Sequence, residues 1–197
     1  MSNLLFWDTE TTGLPIKALP LDHPSQPHIV SCSALQVTSD GYIRQSMSKL
    51  VASDGWPWDD SNPAFQVHRL SVETCRSGRS EKDVLTEILH LWFPDNEPAT
   101  LVAHNLEFDR AIIASAIARY YPGEAALLDA WLSSPGLCTM LANKERIDAR
   151  TTNGRRKNPN LKETLKFFTG EDLDRHHSAN ADAVAVYMIY QAMQQED

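Results

Sequence analysis

The sequence predicts an α/β fold, in which a mixed five-stranded sheet is flanked by helices. Near the N-terminus, three apolar segments separated by turn residues predict an antiparallel meander of strands. Two later strand segments alternate with segments of helical periodicity, a pattern typical of strands that pair in parallel. With 197 residues the chain is long enough for one large core, and we expect a single domain over residues 1–197.

The meander comprises Leu4–Asp8, Ile29–Val37 and Tyr42–Val51. The first segment is an apolar run without alternation, which is typical of a strand buried on both faces. The other two are joined at Ser39-Asp40-Gly41, a combination that favours a hairpin turn. These three segments therefore predict the antiparallel part of the sheet.

The remaining elements alternate in type along the chain. Ser80 has the position of an N-cap before a helix whose apolar residues fall on one face. In chain order we predict that helix, a strand at Thr100–His104, a helix to about Tyr120 that ends before Pro122-Gly123, a strand at Leu137–Met140, and helices at about Leu161–Phe168 and about Ser178–Gln194.

The composition is that of an ordinary globular protein. Hydrophobic residues make up 42% of the chain and charged residues 22%, and no apolar run approaches the roughly 18 residues that span a bilayer. Cys32, Cys75 and Cys138 are widely spaced and form no C-x-x-C pair, which argues against a disulfide framework and a structural zinc site. The N-terminus has no secretory signal pattern, so we expect a reducing, cytoplasmic location and no membrane partner.

The formal net charge of −8 is unevenly distributed. Residues 144–162 contain seven basic residues and two acids, so this segment carries +5 and the rest of the chain carries −13. A basic segment on an acidic body fits a protein that contacts phosphates at one place and repels them elsewhere. A solvated surface loop that happens to be basic fits the charges equally well.

Asp8 and Glu10 follow the first apolar run directly. Side chains two residues apart on a strand project to the same side of the sheet. Two carboxylates held this close repel each other and raise each other's pKa unless a cation lies between them. Because carboxylate oxygen is the preferred ligand of hard divalent metals, the two acids predict one part of a metal site.

Two further acids, Asp109 and Asp182, each fall on the apolar stripe of a predicted helix. An acid on such a stripe is costly unless it is paired or binds a metal. Together with Asp8 and Glu10 they make four inward carboxylates, without an equal number of inward lysines or arginines. This set is the strongest indication of a metal centre that the residues give.

A histidine pair precedes the last predicted helix. On a continuous helix the five-residue separation would place His177 about 140° away from Asp182. His177 therefore fits the mouth of the helix, beside Ser178 as a candidate N-cap, better than the apolar stripe. From there an imidazole could accept a proton from water at neutral pH. The alternative is that His176 and His177 are two surface histidines in a polar loop.

Three segments resemble the exonuclease motifs of the DEDDh family. They are Asp8-Thr9-Glu10-Thr11-Thr12-Gly13-Leu14, His104-Asn105-Leu106-Glu107-Phe108-Asp109 and His177-Ser178-Ala179-Asn180-Ala181-Asp182, with every acidic position and the histidine intact. Residues 62–71 and 137–140 are similar to the exodeoxyribonuclease X branch of this family. The family has a ribonuclease H-like fold and includes the proofreading epsilon subunit of bacterial DNA polymerase III.

The resemblance implies a 3′→5′ exonuclease that releases nucleoside 5′-monophosphates with two Mg²⁺ or Mn²⁺ ions. In that scheme Asp8 bridges both ions, Glu10 and Asp182 complete the shell of the first, and Asp109 acts near the second through water. His177 is the general base that deprotonates the attacking water. Two ions so placed activate the water and neutralise the leaving 3′ oxygen.

The resemblance also implies a set of substrate contacts. The candidates are Thr9, Thr11, Thr12, Leu14, His104, Asn105 and Phe108. Two interpretations of Leu14 are equally possible at this point: a wedge against the terminal nucleotide, or a plain core residue. His104 also has two interpretations: a substrate contact, or a buried, hydrogen-bonded residue at a strand end. For Phe108, a place in the core is favoured over a role in base stacking.

Several other residues have weaker indications. We interpret His68 as structural, and we interpret Trp56 and Trp58 as packing or lid residues in preference to platforms for unpaired bases. Residues 155–157, two arginines and a lysine, are the best candidates for contacts to a phosphate backbone.

The expected partner is nucleic acid, with single-stranded DNA 3′ ends preferred because a deep site must take an unstacked terminus. The chain ends at Asp197, directly after the last predicted helix, so no polymerase tether is expected. One alternative is an RNA exonuclease of the ribonuclease T and oligoribonuclease type, since sugar choice depends on contacts to the 2′-hydroxyl. The other is a catalytically silent, polymerase-associated or nucleic-acid-binding module.

Overall fold

The computed structural model describes residues 3–53, 55–172 and 178–195, and within them five strands form one sheet. The strands are β1 (Leu4–Thr11), β2 (Ile29–Val37), β3 (Ile43–Leu50), β4 (Thr100–Ala103) and β5 (Gly136–Cys138). Their order across the sheet is β3-β2-β1-β4-β5. β1, β2 and β3 pair antiparallel, whereas β4 is parallel to β1 and β5 is parallel to β4. The predicted mixed sheet is therefore confirmed.

The turn between β2 and β3 fixes the register of the meander. Gly41 has a φ of +89°, which lies in the left-handed region that glycine adopts without a steric cost. Its N–H donates to the carbonyl of Thr38 at 2.9 Å, and the N–H of Thr38 donates to the carbonyl of Tyr42 at 2.9 Å. The predicted turn is present at the predicted residues.

Helices cover both faces of the sheet. In the described ranges they are α1 (Phe65–His68), α2 (Val72–Cys75), α3 (Glu81–Trp92), α4 (Leu106–Tyr120), α5 (Ala125–Ser133), α6 (Thr139–Ala142), α7 (Leu161–Thr169) and α8 (Ala179–Gln194), with a 3-10 turn at Pro94–Asn96. The core beneath α3, α4 and α5 lies on one face, and α8, backed by α7, covers the other. Across the described ranges, none of these helices has the length and apolar character that a membrane crossing requires.

Alternation along β1 decides which side chains meet which helices. Trp7 points toward α5, where its ring centroid lies 5.4 Å from that of Trp131. Phe6 points toward α8, where its ring centroid lies 5.1 Å from that of Tyr187. Positions 8 and 10 share the direction of Phe6, so the acid pair projects toward α8. Position 9 projects toward α4.

The parallel strands bring several strand ends to one edge of the sheet. Phe6 pairs with Val102, and Val102 pairs with Leu137. Asp8 lies two residues after Phe6, and His104 lies two residues after Val102. Because neighbouring strands are about 4.8 Å apart, Asp8 and His104 are neighbours at this edge of the sheet. The carboxyl edge of β1 and β4 is thus where the predicted motifs converge.

The structure corrects one predicted strand and adds helices that were not predicted, among them α1, α2 and α5. The predicted strand Leu137–Met140 is wrong in its second half, because β5 ends at Cys138 and α6 begins at Thr139. No element was predicted for Ala125–Ser133, which forms α5. Apolar residues continue around most of this helix, so the polar and apolar positions show little periodic contrast.

Candidate metal centre

Three of the four predicted acids form one cluster. Asp8, Glu10 and Asp182 each offer a carboxylate oxygen, and these oxygens lie within 4.8 Å of one another. Asp8 and Glu10 reach the cluster from β1, and Asp182 reaches it from the first turn of α8. Glu10 and Asp182 are buried and Asp8 is half-buried. The predicted convergence of acids from β1 and α8 is therefore present.

Asp109 approaches the cluster from the opposite face of β1. It is buried in the first turn of α4, and its Oδ1 accepts hydrogen bonds from the N–H of Thr9 at 3.1 Å and from the hydroxyl of Thr9 at 2.7 Å. These two bonds fix the orientation of the carboxylate. Thr9, predicted as a substrate contact, therefore uses its side chain and its N–H to hold an acid. Nothing in the sequence pattern distinguishes this role.

Burial and mutual repulsion raise the pKa values of these acids. Burial raises the pKa of Asp8 well above its usual range, and the charges of Asp109, Asp182 and Glu10 raise it further. Burial, with the charges of Asp182 and Asp109, raises the pKa of Glu10 to about 8. Burial raises the pKa of Asp109 to about 7, although the hydrogen bonds from Thr9 oppose the shift. Without a cation, the cluster therefore holds protons at neutral pH.

The donor set fits a hard divalent cation. Two unit charges 4 Å apart repel by about 4 kcal/mol at an effective dielectric constant near 20, so the carboxylates cannot all ionise without a positive charge among them. In the part of the chain that the structure describes, no lysine, arginine or histidine forms an ion pair with Asp8, Glu10 or Asp109. Oxygen ligands without nitrogen or sulfur favour Mg²⁺, Mn²⁺ or Ca²⁺.

A cavity of about 600 Å³ has one of the acids, Glu10, in its lining. It is lined by residues 9–14 of the β1 end, by residues 62–64, and by Val67, His68 and Phe108. A second cavity of about 720 Å³ lies next to it and shares Leu14 and Phe108. Leu14 is 77% exposed, so the interpretation of Leu14 as plain core is wrong. Phe108 is half-buried against the core and borders both cavities.

His104 is held by the protein at both ring nitrogens. Nε2 lies 3.1 Å from the carbonyl of Pro159 and Nδ1 lies 3.0 Å from the hydroxyl of Thr139. A carbonyl can only accept, so Nε2 carries the proton and Nδ1 accepts from the threonine. Burial lowers the pKa of His104 to about 4, which keeps the ring neutral. This geometry favours the buried strand-end interpretation of His104 over a substrate contact.

Thr11 and Asn105 help to define the backbone at the end of β1 and at the start of α4. Asn105 has a φ of +71° at the junction between β4 and α4, a conformation that asparagine adopts more readily than most residues. The hydroxyl of Thr11 donates to the carbonyl of Gly13 at 2.7 Å. The exposed Asn105 side chain borders the larger cavity.

The loop at residues 13–27 is closed at its neck. The N–H of Thr12 donates to the carbonyl of His28 at 3.0 Å, and the N–H of His28 donates to the hydroxyl of Thr12 at 3.0 Å. Inside the loop, the buried amide of Gln26 bonds both the N–H and the carbonyl of Ile16 at 3.0 Å. The loop therefore carries its own internal support.

A second buried acid lies at the base of this loop. Glu81, at the start of α3, accepts from Nδ1 of His28 at 2.7 Å, from the N–H of Ile29 at 2.8 Å, from Arg119 at 3.2 Å and from the hydroxyl of Tyr120 at 2.9 Å. Burial alone would raise the pKa of Glu81, but the bond from His28 and the charges of His28 and Arg119 lower it below the usual value. In the sequence, Glu81 follows the Ser80 N-cap directly, and this position gives no sign of the network.

The side chains for which the sequence gave weaker indications, Trp56, Trp58 and His68, are packed against other residues. Trp56 and Trp58 are each 8% exposed, and Trp56 stacks on His28 with ring centroids 4.6 Å apart. Nδ1 of the buried His68 accepts from the N–H of Leu70 at 3.0 Å. The structural interpretation of His68 and the packing interpretation of the tryptophans are therefore supported.

The predicted general base, His177, lies outside the described residues. Ser178 occupies the N-cap position of α8, but its side chain makes no capping hydrogen bond. Ser178 therefore has the predicted N-cap position without the side-chain bond of a cap, and its backbone carbonyl accepts from the N–H of Asp182 at 3.0 Å.

Comparison with known proteins gives matches at the level of structure. No family model matches the chain, and no curated protein matches it in sequence. E. coli exonuclease I in complex with a dT13 oligonucleotide is similar with a TM-score of 0.71 at 17% identity, over 98% of this chain and 41% of that chain. A product-bound structure of exonuclease I gives a TM-score of 0.73 at 16% identity, over 98% of this chain and 43% of that chain.

The chain shares the fold of the matched part of exonuclease I. The zinc-bound form of the E. coli exonuclease I complex with single-stranded DNA is also similar, with a TM-score of 0.71 at 18% identity, over 100% of this chain and 41% of that chain. The expected ribonuclease H-like fold is thereby confirmed. The chain spans about two fifths of the length of these exonuclease I chains.

Proposed function

We propose that the protein is a metal-dependent 3′→5′ exonuclease that hydrolyses single-stranded DNA from its 3′ end to nucleoside 5′-monophosphates. The observation that carries this proposal is the convergence of Asp8, Glu10 and Asp182 within 4.8 Å on an exonuclease-like fold, with Glu10 also lining a cavity. Asp109, held by Thr9 on the other side of β1, supplies the fourth carboxylate.

The four acids would hold two Mg²⁺ or Mn²⁺ ions. When bound, such ions polarise the phosphodiester and lower the pKa of an attacking water. Asp8, Glu10 and Asp182 would be ligands of one ion, with Asp8 shared, and Asp109 would face the other in the orientation that Thr9 sets. We propose His177 as the general base, in keeping with its position five residues before Asp182 in the sequence.

The substrate assignment is supported by the shape of the site. The cavity that Glu10 lines, at about 600 Å³, has the size of ordinary small-molecule pockets and is bordered by the apolar Leu14 and Phe108. A terminal nucleotide fits there only when its base is unstacked from a partner strand, which favours single-stranded ends. The similar exonuclease I structures include complexes with dT13 and dA16 oligonucleotides.

The experiment is degradation of a 20-nucleotide DNA labelled at either end, in Mg²⁺, in Mn²⁺ and in EDTA. We expect the 3′ label to appear as a mononucleotide and the 5′ label as a descending ladder, with no product in EDTA. Asp8→Asn should lower the rate by more than about 10²-fold because it removes a metal ligand. Asp129→Asn makes the same chemical change on the exposed surface of α5 and should leave the rate unaltered.

A matched RNA oligonucleotide completes the design. Faster release from RNA would replace the proposed substrate with RNA. Equal rates for wild type and Asp8→Asn would overturn the proposed function and favour a non-catalytic nucleic-acid-binding module.

A further inference from the structure

We propose that the hairpin formed by residues 149–157 is a contact surface for the phosphate backbone of the DNA strand, several nucleotides away from the cleaved end. We name it the basic hairpin. This inference rests on the proposed function, because it assumes that the strand entering the acid cluster is nucleic acid. It adds a binding surface outside the cavity and the metal centre.

The basic hairpin has a defined backbone. Arg150 and Arg156 pair across it as an antiparallel bridge, and the N–H of Lys157 donates to the carbonyl of Ala149 at 2.9 Å. At the tip, the N–H of Thr151 donates to the carbonyl of Arg155 at 2.8 Å. A surface held in this way loses little conformational entropy when it binds a ligand.

The basic hairpin is anchored beside the acid cluster. Two residues after it, the carbonyl of Pro159 accepts from His104, which leaves the sheet next to Asp8. The next residue, Asn160, caps α7 through a capping box with Glu163. The segment that links the hairpin to α7 is therefore fixed by these contacts. As a result, the hairpin has a defined position relative to the edge of the sheet where a substrate strand would emerge.

The charges of the basic hairpin are unbalanced within its own nine residues. They include four basic residues, Arg150, Arg155, Arg156 and Lys157, and no acid. Arg155 is exposed, and its guanidinium has no ion-pair partner among the described residues. The other three bases pair with acids outside the hairpin.

The pairs of Arg150 and Arg156 do not remove the positive surface. Their side chains are 56% and 51% exposed in these pairs. Ion pairs this exposed are worth between about 0 and 1 kcal/mol, so a phosphate can replace the acid at little cost. Both guanidinium groups also donate to backbone carbonyls, which holds them in place.

The bridge between Arg150 and Arg156 places two arginines opposite each other on neighbouring strands, and each is paired with an exposed acid outside the hairpin. A polyanion across both strands would meet these two arginines together with the exposed Arg155. A DNA strand provides a row of negative charges, and the −13 carried by the chain outside residues 144–162 repels it from other surfaces.

The first experiment measures binding without hydrolysis. In an Asp8→Asn background, the affinity for a fluorescent (dT)20 is measured by anisotropy at several NaCl concentrations. The triple substitution of Arg150, Arg155 and Arg156 by alanine should weaken binding by at least about tenfold and lower the slope of log K against log salt by about 2, at roughly 0.7 per lost phosphate contact on single strands.

Two controls separate charge from structure. The triple substitution of the same arginines by lysine keeps the charges and should retain most of the salt slope. Arg44→Ala removes one exposed charge from β3, near the end of the sheet opposite the acids, and should change neither affinity nor slope. Circular dichroism and Tm of each variant confirm that it folds.

A second measurement uses substrate length in the protein with its acids intact. For the alanine variant we expect kcat/KM on (dT)20 to fall at least about tenfold, through a higher KM. On (dT)3 the loss should be much smaller, because this oligonucleotide is too short to reach the hairpin. An unchanged KM and salt slope, with exonuclease activity intact, would overturn the hairpin proposal and leave the proposed function standing.

Other results are equally decisive. Absence of nuclease activity in the wild type, with hairpin-dependent binding of (dT)20, would sink the proposed function alone. Stronger competition by polyglutamate than by unlabelled (dT)20 for the hairpin would show an acidic protein surface as its partner and would overturn the assignment to DNA.

Discussion

Two sites of the protein contain buried acids, and the described residues around them differ in charge. Glu81 is surrounded by Arg119, by Nδ1 of His28 and by neutral donors, and these partners lower its pKa. At the end of β1, Asp109 accepts from Thr9, and burial with mutual repulsion raises the pKa values of Asp8, Glu10 and Asp109. Both sites contain carboxylates, and Glu81, Glu10, Asp109 and Asp182 are all buried.

The difference teaches how to separate a structural acid from a reactive one. An acid whose counter-charge is built into the fold stabilises the fold. Acids that repel one another raise the energy of the metal-free protein, and a cation from solution would relieve that repulsion. The two sites are connected, because His28 bonds both Glu81 and the backbone and side chain of Thr12 at the end of β1.

The largest expected effect on stability is at Glu81. Arg119→Met leaves a buried carboxylate without its arginine, and breaking a buried pair in this way costs about 3–5 kcal/mol. For a chain of this size we expect Tm to fall by roughly 6–20 °C. Arg44→Met is the matched control, because its pair with Asp95 is exposed, and it should change Tm only slightly. A fall no larger than that of the control would remove the distinction between the two sites.

The metal centre should respond to added cations with an intermediate effect. A ligand at 100 times its Kd stabilises a folded protein by about 2.7 kcal/mol, which corresponds to a rise in Tm of roughly 5–10 °C here. We expect this rise with Mg²⁺ or Mn²⁺ in differential scanning fluorimetry, and its reversal by EDTA. Asp8→Asn should lose most of it and Asp129→Asn should retain it. Equal shifts in both variants would place the metal elsewhere.

The smallest effect is the pH dependence of the metal-free protein. The pKa of Glu10 rises from 4.5 to about 8 on folding. Between these values the folded state binds more protons than the unfolded state, so the free energy of unfolding falls as the pH rises through this range. Glu10→Gln does not titrate, so in EDTA its Tm should exceed that of wild type by a few degrees near pH 8.5, with a smaller difference near pH 5.

The control for that measurement is Glu97→Gln, an exposed glutamate, which should follow the wild-type curve. A Glu10→Gln variant that is less stable than wild type at pH 8.5 in EDTA would contradict the repulsion inferred for the metal-free cluster.

The sequence predicted the sheet and the acid cluster for the same physical reason. Hydrophobic periodicity identifies buried positions, and an acid such as Asp109 or Asp182 on a buried stripe stands out against it. The contacts of Thr9 and Glu81 could not be predicted, because they join residues 100 and 53 positions apart and depend on tertiary packing. α5 was missed because its apolar residues lack a polar face to mark the period.

The reciprocal bonds between Thr12 and His28 make residues 13–27 an exchangeable module. The larger cavity is lined in good part by this segment, including Leu14, Ile16 and Leu19. Under the proposed function, substitutions of these side chains would change what the protein accepts beside the terminal nucleotide and would leave the acids of β1 in place.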